Sequence, residues 1–266
     1  MRKTKYILLL LAVLLCLTGC NNDTEQTTTE STTPTETSLS IMERDQLEYK
    51  FQGEPRCVIR TAEATYKDSE GNILSSAEMD DIYIYGEGCE AIAEAVEGYF
   101  EFDLLNGSLF AKTIDQWRQT SNTRKLTCMR MDDAVVSVRT KARFYGGGGF
   151  SMIEGTTFDA ESCEILELDD IIKDMEGFRK KVDEVLPGLV AEKVVWFEGY
   201  ETPEALAEYT EYYRKDIPEW TAWFLSEEGI IFGFEEGLFT ASAAGCLEVT
   251  IPYDDIKEYM VEKYVP

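Results

Sequence analysis

Residues 220–264 decide the fold class, and they read WTAWFLSEEGIIFGFEEGLFTASAAGCLEVTIPYDDIKEYMVEKY. Apolar residues alternate with their neighbours at the start of this segment and again along residues 247–251, which is the period of a half-buried strand. A turn ends at Gly229, a residue suited to a positive φ, and residues 230–234 form the return strand of a hairpin. The segment therefore predicts three strands of an antiparallel sheet.

The end of the chain predicts a helix. Asp254 and Asp255 favour the positive N-terminal end of a helix dipole. Ile256, Met260 and Tyr264 then recur every four residues and would form one apolar face. We expect one continuous helix that docks back on the sheet.

The preceding part of the chain mixes strands and helices. Strand-type patterns cover residues 56–66, 82–85, 124–131, 134–145 and 150–158. A helical period begins near Glu90, with Ile92 and Val96 on one side of the helix and Glu94 and Glu97 elsewhere on its surface. A second helix is expected after Asp169 and Asp170, with Pro187 near its end. Because the strands arrive mostly as hairpins, the predicted class is α+β, with a largely antiparallel sheet and several packed helices.

The N-terminus predicts export. Basic residues precede an apolar run, and residues 17–20 read LTGC, the lipobox of bacterial lipoproteins. The run is shorter than the ~20 residues that span a bilayer. Residues 1–19 are therefore expected to be a lipoprotein signal peptide, and Cys20 the lipidated (palmitate-bearing) residue on the extracellular face of the cytoplasmic membrane. The alternative is an ordinary secretory signal with a chance cysteine.

The remainder divides into three predicted parts. Residues 20–40 are rich in Thr, Ser and Glu and cannot bury enough apolar surface to fold, so they are expected to form a flexible linker. Residues 41–131 are expected to form a companion α+β subdomain. Residues 132–266 are expected to form the C-terminal α+β domain.

The net charge of the chain indicates which kinds of binding partner to expect. The chain carries a net charge of −26, and removal of the predicted signal peptide makes it three charges more negative. This acidity argues against nucleic acid and anionic lipid headgroups, and it favours cationic partners or solubility alone.

The chain contains no histidine, which excludes Ser-His-Asp and Cys-His mechanisms and His-ligated zinc. Acidic pairs are frequent, but each falls at a turn, a strand end or a helix start, so a carboxylate hydrolase is the third-ranked hypothesis. Residues 146–149 are four glycines that lack the Lys-Ser/Thr of a P-loop, and they predict a hairpin turn. We expect no enzyme activity, no cofactor and no metal.

Five cysteines remain after Cys16 and Cys20: Cys57, Cys89, Cys128, Cys163 and Cys246. They are odd in number and lack CxxC spacing. The sequence allows either buried thiols throughout or one or two disulfides in an extracellular setting.

The candidate binding surface combines aromatic and acidic residues. Tyr and Trp are common anchors of interfaces, although core packing also accounts for them. The candidates are Trp196, Tyr212, Glu227, Glu228, Glu235 and Glu236.

Four short motifs follow a known order and spacing: WFL at 223–225, GIIF at 229–232, AAG at 243–245 and VTIPY at 249–253. Upstream, YGGG at 145–148, TFD at 157–159 and LDDII at 168–172 extend the pattern. Together they resemble the RsiV-like extracellular domain family, found in the lysozyme-sensing anti-sigma factor RsiV and the peptidoglycan deacetylase PdaC. The resemblance covers roughly residues 132–264.

We expect a non-enzymatic, lipid-anchored extracellular binding module, and the resemblance implies that its partner is a cationic wall-active protein such as lysozyme. The alternative is an accessory lipoprotein that binds cell-wall glycan, by analogy with PdaC. Two departures bear on these expectations. Gly149-Phe150 stands where the family commonly has a histidine, and Gly237, Ala241 and Ser242 stand where it usually has tyrosines and a proline.

Overall fold

The computed structural model describes residues 36–48, 56–67, 70–101, 120–145, 149–194, 222–236 and 245–266. All of them belong to one compact unit, Thr33–Pro266. The predicted signal peptide, Cys20, Trp196 and Tyr212 lie outside the described residues.

The larger sheet has six strands in chain order. They are β1 (Glu36–Glu48), β2 (Arg56–Lys67), β3 (Ile73–Tyr85), β4 (Thr120–Met131), β5 (Val135–Tyr145) and β6 (Phe150–Asp159). Every neighbouring pair is antiparallel except β3 and β4, which are parallel.

The parallel contact between β3 and β4 is short and ends at the pair Met79 and Arg124. Asp80, which is fully buried, bridges the point where the strands part. Its Oδ1 accepts a hydrogen bond from Thr61 Oγ1 at 2.7 Å, and its Oδ2 accepts one from the Leu126 backbone N–H at 3.0 Å. Where the backbone hydrogen bonds between β3 and β4 end, the buried Asp80 carboxylate therefore connects the strands by accepting a hydrogen bond from the β4 backbone.

The smaller sheet is antiparallel and packs on β6. Its strands are β7 (Ala222–Leu225), β8 (Gly229–Phe234) and β9 (Leu247–Pro252). A Cβ on Gly155 of β6 would overlap the Trp223 carbonyl, so this glycine allows the two backbones to approach closely. The predicted hairpin is confirmed, but Gly229 does not have a positive φ. Glycine is required there because a Cβ would overlap the Ile251 carbonyl oxygen.

Four α-helices lie in the described part of the chain: α1 (Glu90–Phe100), α2 (Leu168–Ile171), α3 (Met175–Val194) and α4 (Tyr253–Ile256). Two 3-10 turns follow α4, at Lys257–Tyr259 and Glu262–Tyr264. None of the helices in this part is long and apolar enough to cross a membrane.

The prediction of one continuous C-terminal helix is wrong. The helix ends at Ile256, and Met260 is extended, because the chain pairs with the end of α2 instead of with itself. Lys173 N–H donates to the Tyr259 carbonyl at 2.8 Å, and Val261 N–H donates to the Ile171 carbonyl at 2.9 Å. The expected apolar residues are nevertheless buried.

The predicted helix after residue 169 is two helices. Asp170 belongs to a capping box with Glu167 that starts the short α2, not the long helix. Pro187 lies inside α3 rather than near its end. Pro187 cannot donate a backbone hydrogen bond within the helix. Burial of the nearby Leu186 and Val190 in the core stabilises the helix in spite of this loss.

Both faces of β5 contribute to a core. Val135 packs with α3, the smaller sheet and the C-terminus. Val136 and Val138 pack with α1 and with β2, β3 and β4. The α+β class is confirmed. The division into residues 41–131 and 132–266 stays a prediction, with its boundary in the turn between β4 and β5. The predicted linker of residues 20–40 is wrong at its end, because residues 36–40 belong to β1 and pair with β2.

Candidate functional site

The four predicted acidic candidates do not form one patch. Glu227 and Glu228 are exposed in the turn before β8, whereas Glu235 and Glu236 follow β8 at its other end. A strand of six residues separates the two pairs by roughly 20 Å. The wider set, with Trp196 and Tyr212 outside the described residues, stays a prediction.

Acidic side chains do converge on a groove between α1 and β3, which we call the acidic groove. Its volume is about 350 Å³. It is lined by Asp81, Ile82, Tyr83, Glu94, Glu97, Gly98 and Glu101. The groove borders the part of β3 that continues beyond its pairing with β4. Four carboxylates therefore face one concave surface.

The helical period explains why α1 contributes two of these carboxylates. Ile92 and Val96 are buried in the core, so Glu94 and Glu97 share a different face of the helix. Glu101 follows directly as the C-cap residue of α1. Glu94 and Glu101 are exposed, and Glu97 is half-buried. A rigid, packed helix thus holds the acidic rim in place.

Two of the four carboxylates have partners. Glu97 Oε1 accepts a hydrogen bond from the Ile84 N–H at 3.1 Å. Asp81 Oδ1 accepts one from Arg124 at 3.2 Å, and the same guanidinium reaches the Phe100 carbonyl at the end of α1 at 2.8 Å. Burial lowers the pKa of Arg124, an effect that Asp81 opposes. The arginine fastens the helix to the strand.

The two outer carboxylates differ from these. Within the described residues, neither Glu94 nor Glu101 has a hydrogen-bond or ion-pair partner for its side chain. Both are exposed at the rim of the groove. They are the carboxylates with the lowest desolvation cost on contact with a cation.

Asp159, the aspartate of the TFD motif, has a structural role. Its Oδ1 accepts backbone hydrogen bonds from Glu161 and Ser162, each at 2.9 Å. Its Oδ2 accepts hydrogen bonds from Lys263 Nζ at 2.7 Å and Tyr264 Oη at 2.8 Å. The end of β6 is thereby tied to the last residues of the chain.

These contacts shift two pKa values in opposite directions. Burial opposes ionisation of Asp159, but the hydrogen bonds, led by that from Lys263, hold its pKa at about 2. Burial and the Asp159 carboxylate raise the pKa of Tyr264 to about 12. The contact therefore requires a charged aspartate and a neutral tyrosine.

Arg130 forms a second buried link to the C-terminus. Its Nε donates to Asp132 Oδ2 at 2.5 Å, and its Nη1 donates to Tyr253 Oη at 2.8 Å and to the Tyr264 carbonyl at 2.7 Å. Tyr253 Oη in turn donates to the Ser226 carbonyl at 2.9 Å. We call the Asp159 and Arg130 networks together the C-terminal closure.

A cluster of three charged side chains connects the two sheets. Arg139 Nη1 donates to Glu248 Oε2 at 2.9 Å, and Lys141 pairs with the other oxygen of the same carboxylate. Although burial opposes it, these two cations lower the pKa of Glu248. The pairing joins β5 to β9.

Sequence reasoning identified Glu94 and Glu97 as surface residues of a helix but did not place them in a groove. The parting of β3 from β4, which exposes Asp81 to that helix, has no local signal. Arg130 was missed because its partners lie 123 and 134 positions away. Among the described residues, no three His, Cys, Asp or Glu side chains are arranged to hold a metal ion.

No family model matches the sequence, and no curated protein matches it. Solved structures, however, do match the chain in fold. A DUF3298 family member from Bacteroides fragilis is 15% identical with a TM-score of 0.53, over 87% of this chain and 96% of that chain. A DUF3298 family protein from Pseudomonas aeruginosa is 13% identical with a TM-score of 0.49, over 89% and 99%. By its likeness to the Bacteroides fragilis structure, the chain is similar in fold to a member of the DUF3298 family, the domain family of the RsiV-like domains.

Proposed function

We propose that this chain is a non-enzymatic, lipid-anchored extracellular module that captures a cationic wall-active protein, with lysozyme as the reference partner. The observation that carries the proposal is the acidic groove. It places four carboxylates on one concave surface in a chain whose net charge is −26.

Charge acts at two ranges. The net negative charge accelerates the approach of a basic protein through long-range attraction. At contact, the outer carboxylates Glu94 and Glu101 accept lysine or arginine side chains without first losing a partner among the described residues. Because α1 is packed against the core, these carboxylates need little ordering on binding.

The proposed anchor fits this role. Lipidated Cys20 would hold the protein at the outer face of the membrane. The part of the predicted linker that precedes β1, residues 20–35, has an r.m.s. reach of roughly 22 Å as a flexible coil. That reach is enough to present the folded unit away from the lipid headgroups.

The test is calorimetric titration of residues 20–266, with Cys20→Ser to prevent acylation, against lysozyme. We expect saturable binding at low salt that weakens at physiological salt, because exposed charges are screened. An acidic protein of similar size serves as the control and is expected not to bind. Absence of lysozyme binding at both salt concentrations would reject this partner.

A second candidate function, glycan binding, is supported by an aromatic pair on β3. The rings of Tyr83 and Tyr85 are nearly parallel, with an interplanar angle of 14° and centroids 6.5 Å apart, and Tyr85 is 41% exposed. Aromatic faces of this kind stack against sugars. Peptidoglycan fragments in the same titration test this function, and their binding is expected to change little with salt.

A further inference from the structure

A second groove, on the larger sheet, is lined by positive charge. Its volume is about 260 Å³, and it lies where β4, β5 and β6 meet the chain that enters β9 at Gly245 and Cys246. None of the described residues that line it is acidic, although the chain has 51 acidic and 25 basic residues. We call this surface the cationic groove. The side chains that can donate hydrogen bonds to a ligand there are Thr123, Lys125, Lys141, Arg143 and Ser151.

The register of the sheet brings these groups together. Thr123 of β4 pairs with Arg143 of β5, which pairs with Ser151 of β6, so the three form one row across the sheet. Lys125 and Lys141 form a row two residues away, and a separation of two residues keeps both rows on the same face. Neighbouring strands lie about 5 Å apart. One guanidinium, two ammonium groups and two hydroxyls therefore start from backbone positions within roughly 10 Å of one another.

The two lysines of the cationic groove already have acidic partners. Lys125 forms an ion pair with Glu78, and its Nζ lies 3.6 Å from the buried Asp80 carboxylate. Lys141 pairs with Glu248, the carboxylate that joins β5 to β9. These ion pairs fix the positions of both ammonium groups, and they balance part of the positive charge before a ligand arrives.

Arg143 differs from the two lysines. Its side chain is exposed, and the described residues supply no carboxylate partner for it. Its guanidinium lies over the Tyr145 ring, with Cζ 4.4 Å from the ring centroid. Stacking occupies the flat face of a guanidinium and leaves the N–H groups at its edge able to donate. Tyr145 therefore orients a cation whose N–H groups have no acceptor among the described residues.

We propose that the cationic groove binds the phosphate group of a small molecule, either inorganic phosphate or a phosphate monoester. The planar guanidinium of Arg143 donates to two phosphate oxygens at once, a geometry that arginine forms and lysine does not. The Thr123 and Ser151 hydroxyls, one on each side of Arg143, donate to the remaining oxygens. Lys125 and Lys141 add positive charge at the edge of the site.

Charge indicates the type and the size of the ligand. A phosphate monoester carries a charge of about −1.5 to −2 at neutral pH, so it suits a groove with three cations better than a carboxylate does. The net charge of −26 repels extended polyanions, which favours a small phosphate over a phosphate polymer. The residues involved are separate from the acidic groove, and the inference holds whether or not that groove binds a basic protein.

The test is a titration of residues 20–266, with Cys20→Ser, followed by proton–nitrogen NMR. The Arg143 side-chain N–H signal and the Ser151 and Gly245 backbone N–H signals report on the groove. Inorganic phosphate, glycerol 3-phosphate and acetate are added separately, with sodium chloride adjusted to hold the ionic strength constant. We expect both phosphates to saturate these signals with a Kd on the order of 1 mM, and acetate to bind about tenfold more weakly.

The two phosphates distinguish the source of the ligand. Tighter binding of inorganic phosphate assigns free phosphate, tighter binding of glycerol 3-phosphate assigns a monoester, and equal binding assigns the phosphate group whatever its carrier. Signals that do not saturate with either phosphate, or acetate bound as tightly as phosphate, would overturn the proposal.

A matched pair of variants separates the groove from overall charge. Arg143→Met and Arg179→Met each remove one exposed arginine, the second from α3. We expect the Kd for phosphate, read from the Ser151 and Gly245 signals, to rise about tenfold in Arg143→Met and to stay within about twofold in Arg179→Met. Equal affinity in the two variants would overturn the proposal, because phosphate would then respond only to the overall charge.

Discussion

The C-terminal closure and the acidic groove use the same side chains in opposite ways. At the closure, Asp159 is 4% exposed and both of its oxygens accept hydrogen bonds, two of them from Lys263 and Tyr264. At the groove, Glu94 and Glu101 face solvent without a partner among the described residues. The first region pairs its own charged groups, and in the proposed function the carboxylates of the second region bind a cationic partner.

The two regions differ in the number of hydrogen-bond donors that lie near their carboxylates. Near residue 159 the chain provides backbone N–H groups, an ammonium and a phenol, so a buried charge is stable. Along α1 it provides mainly further carboxylates, and the outer ones stay in contact with water. An acidic composition therefore says nothing about function until the donors around each carboxylate are known.

The largest effect is expected at Arg130, which is 2% exposed. Arg130→Met removes three hydrogen bonds, so that Asp132 Oδ2, Tyr253 Oη and the Tyr264 carbonyl each lose the donor that Arg130 supplies. We expect a loss of about 3 kcal/mol in the free energy of unfolding, measured by urea denaturation. The control Arg143→Met alters an exposed strand residue and is expected to cost less than about 0.5 kcal/mol. Equal losses would mean that the closure is not special.

Asp159→Asn is expected to have the next largest effect. The amide keeps the shape but loses the charge that Lys263 and Tyr264 stabilise. Because Lys263 is partly exposed, we expect a loss of about 2 kcal/mol in the free energy of unfolding. Asp133→Asn, an exposed aspartate, is the matched control. If both variants unfold at the same urea concentration, the proposed structural role of Asp159 is wrong.

The same carboxylate predicts a pH dependence. Its pKa is about 2 in the fold and 3.8 ordinarily, so its stabilisation is present above pH 3.8 and is lost as the pH falls toward 2. The difference in unfolding free energy between the wild type and Asp159→Asn should therefore shrink by about 2 kcal/mol between pH 6 and pH 2. A difference that stays constant over this range would contradict the assignment.

The smallest effect on stability is expected at the groove. Glu94→Gln with Glu101→Gln removes two like charges from an acidic surface without breaking a contact among the described residues. We expect unfolding free energy to change by less than about 0.5 kcal/mol, and any change to be an increase. A loss of more than about 1 kcal/mol in urea denaturation would show that these residues hold the fold.

The sequence predicts what is local. Alternation along residues 222–234 predicts the hairpin, and the helical spacing of Ile92 and Val96 predicts α1 with its acidic outer face. It fails where tertiary hydrogen bonds replace local ones. The chain after Ile256 pairs with the end of α2 instead of extending its helix, and no spacing rule predicts that choice.

The candidate site divides in the same way. Glu227 and Glu235 are acidic residues near strand ends, as predicted, but the length of β8 keeps them apart. The acidic groove forms because β3 and β4 separate near Asp80. This separation involves two strands that lie far apart in the sequence, so no local pattern predicts it. The spacing of apolar residues predicts which face of a helix is exposed, but it does not predict which strand lies next to that face.

The central claim is that the groove, rather than net charge alone, binds a cationic protein. The most direct test compares lysozyme binding by Glu94→Gln/Glu101→Gln with binding by Glu227→Gln/Glu228→Gln, since both variants remove two exposed negative charges. We predict that calorimetry at low salt shows about tenfold weaker binding for the groove variant and less than about threefold for the turn variant. Equal weakening in both variants, or no binding by the wild type, would contradict the claim.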